Sequence, residues 1–597
     1  MRAYHLAARE RRGPEAMLTG AQARAASARW LFPAIEPGCA ATLGAALGVG
    51  SLAAKVLAAR GYTDTESARR FLHPSLGDLH DPFGLRDMEP AVGRLRAAIA
   101  AGEQILIYGD YDVDGTTAVV LLMTAIRLAG GTAFYHVPHR LKDGYGMRSE
   151  VVEVAATHGV KLMVSVDTGI RAAEVVTRAA ELGIDVIVTD HHLPEAELPP
   201  TLAVINPNRR DCSYPNKDLC GAGVAFKLAQ ALLARSGWPA ERLARISQSL
   251  LKLVAIATVA DVVPLLGENR VMVKHGLDGL GDARNVGLRA LLQVAGCSAA
   301  PSARQVAFQI APRINAAGRM DTAQTVIELF LTADPARAHE LAQELHERNA
   351  ERREAEDSIR DTCERLPVEA PAAALVYYAE DWHRGVLGIV ASRLVERLHR
   401  PVFVLGRNEE DGMAQGSGRS IPAFHLLEAL ESMRDLFLHF GGHKYAAGVT
   451  LEPARVGEFR ERFNAYAAAR LGPQDFAPRL EMDAVVDLGE ITEAAIEEVF
   501  ALEPFGHGNP PPLFAARAVE VVAAPVVMKE KHLRIAVRQN GRSLTLKAWN
   551  FAGRAAEFTL GARLDVAFEL EKDAYSAARG YPSWAAILQD ARPAAEG

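Results

Sequence analysis

Between Glu103 and Leu265, short runs of consecutive apolar residues alternate with longer segments whose apolar positions recur at helical spacing. The runs are Ile105 to Tyr108, Ala133 to Val137, Leu162 to Val166, Val186 to Thr189 and Ala203 to Ile205. Between them, Thr116 to Leu128, Ser149 to Thr157 and Arg171 to Leu182 carry the helical period. Strand-helix alternation of this kind predicts an α/β fold built on a doubly wound, largely parallel sheet. Leu253 to Ala260 is read as a further strand, ending at Asp261.

Upstream, about Ala21 to Ile99 is rich in Ala and Leu at helical spacing, broken at Gly61-Tyr62-Thr63-Asp64, a turn followed by an N-cap. Residues 1–75 are assigned to a helical N-terminal cap and 76–333 to the α/β domain. Asp334 to Arg365 is highly charged, with a narrow apolar stripe through Ala338, Leu341 and Leu345, and predicts an exposed connecting helix at 334–366. A second α/β domain is placed at 367–472, with strands at Ala372 to Tyr378 and Pro401 to Leu405 and a helix at Gly388 to Leu398. Its Gly-rich turns are Gly416-Ser417-Gly418-Arg419-Ser420 and Phe440-Gly441-Gly442-His443. From 473 to 597, short strands separated by Gly/Pro turns predict a small β domain.

The clearest element of that domain is a hairpin, His532 to Arg538 and Ser543 to Trp549, around Asn540-Gly541. A two-residue turn sets Leu533, Ile535 and Val537 opposite Ala548, Leu546 and Leu544 on the core face. The other face pairs Arg534 with Lys547, Arg538 with Ser543 and His532 with Trp549. Cations set directly opposite one another are destabilising unless something neutralises them. A phosphate backbone with bases stacked on the aromatic would do so, and a solvated face is the plain alternative.

At 597 residues the chain fits roughly four domains. The five cysteines, Cys39, Cys212, Cys220, Cys297 and Cys363, are odd in number, scattered and without CxxC spacing, which suggests neither a disulfide framework nor a structural zinc site and fits a reducing cytoplasm. Met1 to Glu15 is polar, and no later stretch is read as long enough to span a membrane, so a soluble, unexported protein is expected. A net charge of -7 means that any nucleic-acid binding must come from local basic surfaces.

Four segments deliver carboxylates just past the apolar runs: Asp110-Tyr111-Asp112-Val113-Asp114-Gly115, Asp167, Asp190-His191-His192 and Asp261. Strand ends are where open α/β sheets build their sites. Asp110, Asp112, Asp114, Asp167 and Asp261 could not gather as bare anions, because like charges raise one another's pKa and cost stability. Together with the His191 imidazole they suit two divalent ions about 4 Å apart, and the imidazole favours Mn²⁺ over Mg²⁺ without excluding zinc. Such a pair activates water and clamps the attacking and leaving oxygens at phosphorus, which predicts phosphoester hydrolysis. The DxDxDG segment also suits a calcium loop, but the twelfth position, Leu121, lacks the glutamate such a loop needs.

These four segments resemble the signature motifs of the DHH phosphoesterase superfamily. The match includes Tyr108-Gly109-Asp110, Ser165-Val166-Asp167-Thr168-Gly169 and Val259-Ala260-Asp261-Val262-Val263-Pro264. Ala311-Pro312-Arg313-Ile314-Asn315-Ala316-Ala317-Gly318-Arg319-Met320, Trp382-His383-Arg384-Gly385-Val386-Leu387-Gly388, Phe440-Gly441-Gly442-His443 and Pro504-Phe505-Gly506-His507-Gly508-Asn509-Pro510 resemble its branch of single-stranded-DNA exonucleases. Asp110, where small-substrate members usually carry His, points to the same branch.

The resemblance implies a DHH domain, a DHHA1-like second domain and an OB-like barrel. It implies one metal on Asp110, Asp112 and Asp167 and another on Asp114, Asp167, His191 and Asp261, with Mn²⁺ or Mg²⁺ as the ion. Asp190 and His192 are then supporting groups, His192 touching the scissile phosphate or the leaving group. Arg313, Arg319 and His443 become candidates for the reacting phosphate, Ser417 and Arg419 for the DNA 5′ end, and Arg534, Arg538, Lys547 and Trp549 for the incoming strand. The implied activity is 5′-to-3′ hydrolysis of single-stranded DNA to 5′-mononucleotides in recombination and repair, by a monomer working with a single-stranded-DNA-binding protein and a helicase. Two other readings stay open: a DHH phosphodiesterase for short oligonucleotides or cyclic dinucleotides, and a non-catalytic single-stranded-DNA-binding scaffold.

Overall fold

The computed structural model describes residues 28–140, 142–144, 146–297, 301–366 and 372–594. The chain divides into two compact units, one built from Leu31–Asn349 together with the chain from Glu481, the other from Ala350–Leu480.

The first unit holds a five-stranded parallel sheet of β1 (Gln104–Tyr108), β2 (Ala133–His136), β3 (Val160–Val166), β4 (Asp185–Thr189) and β5 (Ala203–Ile205), in the order β2-β1-β3-β4-β5. Its central strands are mostly apolar because both faces are covered. Ile105 and Ile107 join the core that includes α1 (Val113–Leu128). Leu106 and Tyr108 join the opposite core, with α2 (Ser149–Thr157) and α3 (Ala173–Glu181). Each such buried side chain contributes roughly 1.5–3 kcal/mol. From β1 the chain goes to one neighbour, β2, and then returns to the other, β3, so a topological switch point lies at the carboxyl ends of β1 and β3.

Two helices follow, α4 (Gly221–Ala234) and α5 (Ala240–Ala260). The strand expected at Leu253 to Ala260 is the last part of α5, so Asp261 caps a helix C-terminus and does not end a strand. Eight apolar and β-branched residues have the length of a buried strand, but they continue a breaker-free helix whose stretch Leu250–Thr258 is almost wholly buried. This 21-residue helix contains an 18-residue window of mean hydropathy 1.4, long and apolar enough to cross a membrane by length and composition alone, which corrects the expectation that no segment is.

The connecting helix forms as one element, α6 (Pro335–Arg365), 31 residues long. The second unit carries β6 (Leu375–Ala379), α7 (Leu387–Leu398), β7 (Val402–Arg407), β8 (Ala414–Arg419), β9 (His439–Gly442) and β10 (Ala446–Leu451), in sheet order β9-β10-β8-β7-β6. Both Gly-rich segments read as turns are therefore largely strand. Their glycines admit close neighbours: a Cβ at Gly416 would lie 2.1 Å from the Val404 carbonyl oxygen, and one at Gly418 would lie 2.4 Å from the Phe403 ring.

The remaining chain forms a barrel of β11 (Leu513–Val521), β12 (His532–Gln539), β13 (Arg542–Ala548), β14 (Arg563–Lys572) and β15 (Trp584–Pro593). It closes in the order β11-β12-β13-β15-β14-β11, the connectivity of an OB fold. The hairpin has the expected register, with Leu533, Ile535 and Val537 opposite Ala548, Leu546 and Leu544. The helices Cys39–Leu47, Ser51–Ala59 and Thr65–Leu72 share the barrel's core, contributing Leu43, Leu52, Val56, Leu57 and Phe71. Asp64 caps the third of them as expected, accepting from Ser67 N at 2.8 Å. The part of the expected cap within 1–27 lies outside the described residues.

Candidate metal centre

The switch point gathers the carboxylates. Asp110 follows β1 and is 5% exposed, and Asp112 caps α1, its Oδ1 accepting from Gly115 N at 3.0 Å. Asp114 faces the N-terminal turn of α4, where its two oxygens accept from Gly221 N (2.6 Å) and Ala222 N (2.7 Å). Asp167 follows β3 in a left-handed conformation, φ 59°, and is 2% exposed. A non-glycine residue held there is strained unless its surroundings fix it, and its amide is tied to the Thr189 carbonyl at 3.0 Å.

His191 brings these groups together. Its Nε2 lies 3.2 Å from Asp167 Oδ1 and 3.8 Å from both Asp114 Oδ2 and Asp261 Oδ2. Burial lowers its pKa, leaving the neutral imidazole a metal needs. Asp110, Asp112 and Asp167 offer one set of ligand atoms within 4.8 Å of one another, and Asp114, His191 and Asp261 offer a second. A third set, Asp167, His191 and His192, overlaps both.

Burial, and then mutual repulsion, push Asp110 up to about 8 and Asp261 up to about 9, raise Asp112, and raise Asp167 well above the usual carboxylate range. Asp261 also sits at the negative end of the α5 dipole, a position unfavourable to an anion. Asp167 Oδ1 and Asp261 Oδ2 are buried without a hydrogen-bond partner. Divalent cations between the two sets would remove the repulsion, oppose the helix dipole and satisfy both orphaned oxygens, so the residues present fit a two-metal site.

Asp190 has a different task. It is 1% exposed and accepts from Ile170 N, His191 N, His192 N and His192 Nδ1 at 2.9, 2.7, 3.1 and 2.7 Å. Burial would raise its pKa, but these hydrogen bonds outweigh burial and lower it. The bond in turn raises His192 against the lowering effect of burial and turns its Nε2 away from Asp190.

Four contributors were not singled out from the sequence. A Cβ at Gly221 would lie 2.5 Å from both Cβ and Oδ1 of Asp167, so only glycine lets α4 reach the cluster. Asn315 accepts from Val113 N at 3.2 Å, and Gly318 abuts the Tyr111 carbonyl. Arg140 stands over the Tyr111 ring at 5.0 Å, and its charge draws Asp110 and Asp112 down against their repulsion. Gly221-Ala222-Gly223 at a helix start was the available signal for the first.

Arg313 and Arg319 lie on the helix Ala311–Met320. Arg313 engages His346 Nδ1 through Nε (3.2 Å) and the Gln309 carbonyl, and Arg319 lowers the Tyr111 hydroxyl, which burial raises. In the second unit, Ser417 and Arg419 of β8 flank the first turn of α7, where a Cβ at Gly388 would lie 3.5 Å from Ser417 Oγ and 3.1 Å from Arg419 Nη2. A hydroxyl and a guanidinium thus stand at the start of a 12-residue helix, donors of the kind an anion can use. His443, in the same unit, is exposed, and its amide donates to the Ala446 carbonyl at 2.8 Å.

On the barrel hairpin, the opposed cations expected to need a phosphate have an acidic partner within the fold. Lys547 pairs with Asp573 at 2.5 Å and Arg538 with Glu520 at 3.3 Å, so Arg534 and Lys547 face one another with the repulsion answered inside the fold. The face needs no external phosphate to exist, though exposed Arg534 and half-exposed Trp549, stacked edge-on with His532, remain open to one.

Three family models match the chain: DHH family, N-terminal domain, over 104–258; DHHA1 domain over 372–469; and RecJ OB domain over 482–581. The single-stranded-DNA-specific exonuclease RecJ of Bacillus subtilis is 37% identical over 550 residues, covering 92% of this chain and 69% of that protein. RecJ of Escherichia coli is 39% identical over 475 residues, covering 76% and 82%. The crystal structure of RecJ in complex with Mn²⁺ from Thermus thermophilus superposes with a TM-score of 0.80 at 33% identity, covering 95% of this chain and 80% of that one. The corresponding Mg²⁺ complex gives 0.75 at 32% identity, covering 95% and 79%. Identity at this level across most of both chains, with all three domain types in order, makes the chain a member of the RecJ family of single-stranded-DNA-specific exonucleases.

Proposed function

We propose that this chain hydrolyses single-stranded DNA from its 5′ end, releasing 5′-mononucleotides, with Mn²⁺ or Mg²⁺ held by Asp110, Asp112, Asp114, Asp167, His191 and Asp261. The observation that carries the reading is the pair of orphaned buried oxygens, Asp167 Oδ1 and Asp261 Oδ2, one on a residue of each ligand set. Two divalent ions there supply an activated water and neutralise the charge that develops at phosphorus.

The chain's own groups do the rest. Asp190 fixes the His192 ring through Nδ1, so that His192 presents Nε2 toward the leaving oxygen and can give it a proton. Arg319, Arg313 and Arg140 supply positive charge near the reacting phosphate, with Arg313 held by His346, and His443 is a further candidate for the scissile region. Ser417 and Arg419, over the start of α7, take the 5′-terminal phosphate, and Arg534, Arg538, Lys547 and Trp549 guide the strand. The barrel, which a small-substrate phosphodiesterase would not need, and the complete ligand set, which a scaffold could lose, favour this reading over both alternatives. The activity is assigned to recombination and repair in the cytoplasm, by a monomer acting with a single-stranded-DNA-binding protein and a helicase.

Single strands labelled at either end and incubated with Mn²⁺ test it. The 5′ label is expected to appear at once as mononucleotide while the 3′ label persists on shortening chains. Release from 3′ ends, or hydrolysis confined to dinucleotides, would overturn the proposal.

A further inference from the structure

Phe308 is 64% exposed on a π-helical turn, Val306–Ile310. The buried Ala303, Val306, Ile310 and Ile314 around it follow helical spacing toward the core, which leaves Phe308 on the solvent side. A single exposed aromatic is ordinary on a protein surface; its position here is not. At the start of the same run, Arg304 pairs with Glu571 of β14, on the barrel. At its end, Asn315 accepts from Val113 N, and a Cβ at Gly318 would lie 2.8 Å from the Tyr111 carbonyl oxygen in the carboxylate loop.

Residues 304–318 thus link the barrel to the metal centre, and Phe308 is the large apolar side chain that run exposes among the described residues. π turns disrupt hydrogen-bond register and are concentrated at functional positions. We infer that Phe308 is a stacking residue for the DNA strand, holding a base as the chain passes from the barrel toward Asp110 and Asp167. Every base has a π face, so such a contact serves an enzyme that removes nucleotides irrespective of sequence. The inference rests on the exonuclease reading above.

The test uses the full chain, Mn²⁺ and a thymidine oligomer. Phe308→Ala is expected to raise KM roughly 5- to 100-fold, more than it lowers kcat, while Phe308→Tyr, which keeps a ring, stays near the parent. In the hydrolysis-deficient Asp167→Ala background, adding Phe308→Ala should raise Kd for the same oligomer, read by fluorescence anisotropy, by a similar factor. Parent-like KM and Kd for Phe308→Ala would overturn the inference, and so would an equal loss in Phe308→Tyr. Failure of the parent enzyme itself to degrade single strands would instead overturn the exonuclease reading.

Discussion

Replacing Asp167 by Ala is expected to reduce hydrolysis of single-stranded DNA on the order of a thousandfold or more, while binding of the strand remains measurable. Asp167 belongs with Asp110 and Asp112 in one ligand set and stands 3.2 Å from His191 Nε2, the centre of the other. No neighbouring carboxylate can take its place, because its position at the carboxyl end of β3, in a left-handed backbone, is what aims Oδ1 between the sets. The variant also relieves a buried, repelled carboxyl, so the folded protein should not lose stability in the absence of metal. Loss of activity with an unchanged or higher melting temperature therefore separates a ligand from a structural residue. Turnover retained within tenfold would refute the bridging role.

Gly221→Ala is expected to weaken Mn²⁺ binding about 10- to 100-fold, although residue 221 carries no chemistry of its own. The added Cβ would meet Asp167 at 2.5 Å, and α4 cannot retreat without pulling the Gly221 and Ala222 amides from Asp114. One methyl group thus disturbs both ligand sets, and excess Mn²⁺ should restore part of the activity. Gly93→Ala is the matched control: a Cβ there meets nothing within 4 Å, so metal affinity should be unchanged. Equal Mn²⁺ affinity in Gly221→Ala and parent would show that α4 does not shape the site.

Patterns that depend on local geometry were legible in the sequence. The central parallel strands announced themselves as mostly apolar runs because both faces of the sheet are buried there, and Asn540-Gly541 set the hairpin register residue by residue. What was not legible depends on partners distant in the chain. Asp261 lies at a helix end because Leu253 to Ala260 continues α5, a distinction that eight apolar residues do not make by themselves. The glycines at 416 and 418 looked like turn residues, yet they make room for the Val404 backbone and the Phe403 ring. Asp573, which answers Lys547, and the helices between 39 and 72, which complete the barrel core, lie far from their partners in sequence. Within the site, Asp110, Asp167 and His191 were visible from their strand-end positions, whereas Gly221, Asn315 and Arg140 matter through shape and proximity.

The central claim is that six side chains at the switch point hold two divalent ions, and titration calorimetry of the metal-free protein with Mn²⁺ tests it most directly. Burial and mutual repulsion push Asp110 up to about 8 and Asp261 up to about 9, so without a metal these carboxyls hold protons at neutral pH that an incoming ion must displace. Binding should therefore release protons, seen as a heat that depends on the buffer's ionisation enthalpy, and apparent affinity should rise as pH increases toward about 9. The expected result is two Mn²⁺ per chain, proton release that shrinks with rising pH, and loss of at least one ion in Asp167→Ala. A single ion per chain, or two ions bound with no proton release and unaltered by Asp167→Ala, would contradict the account.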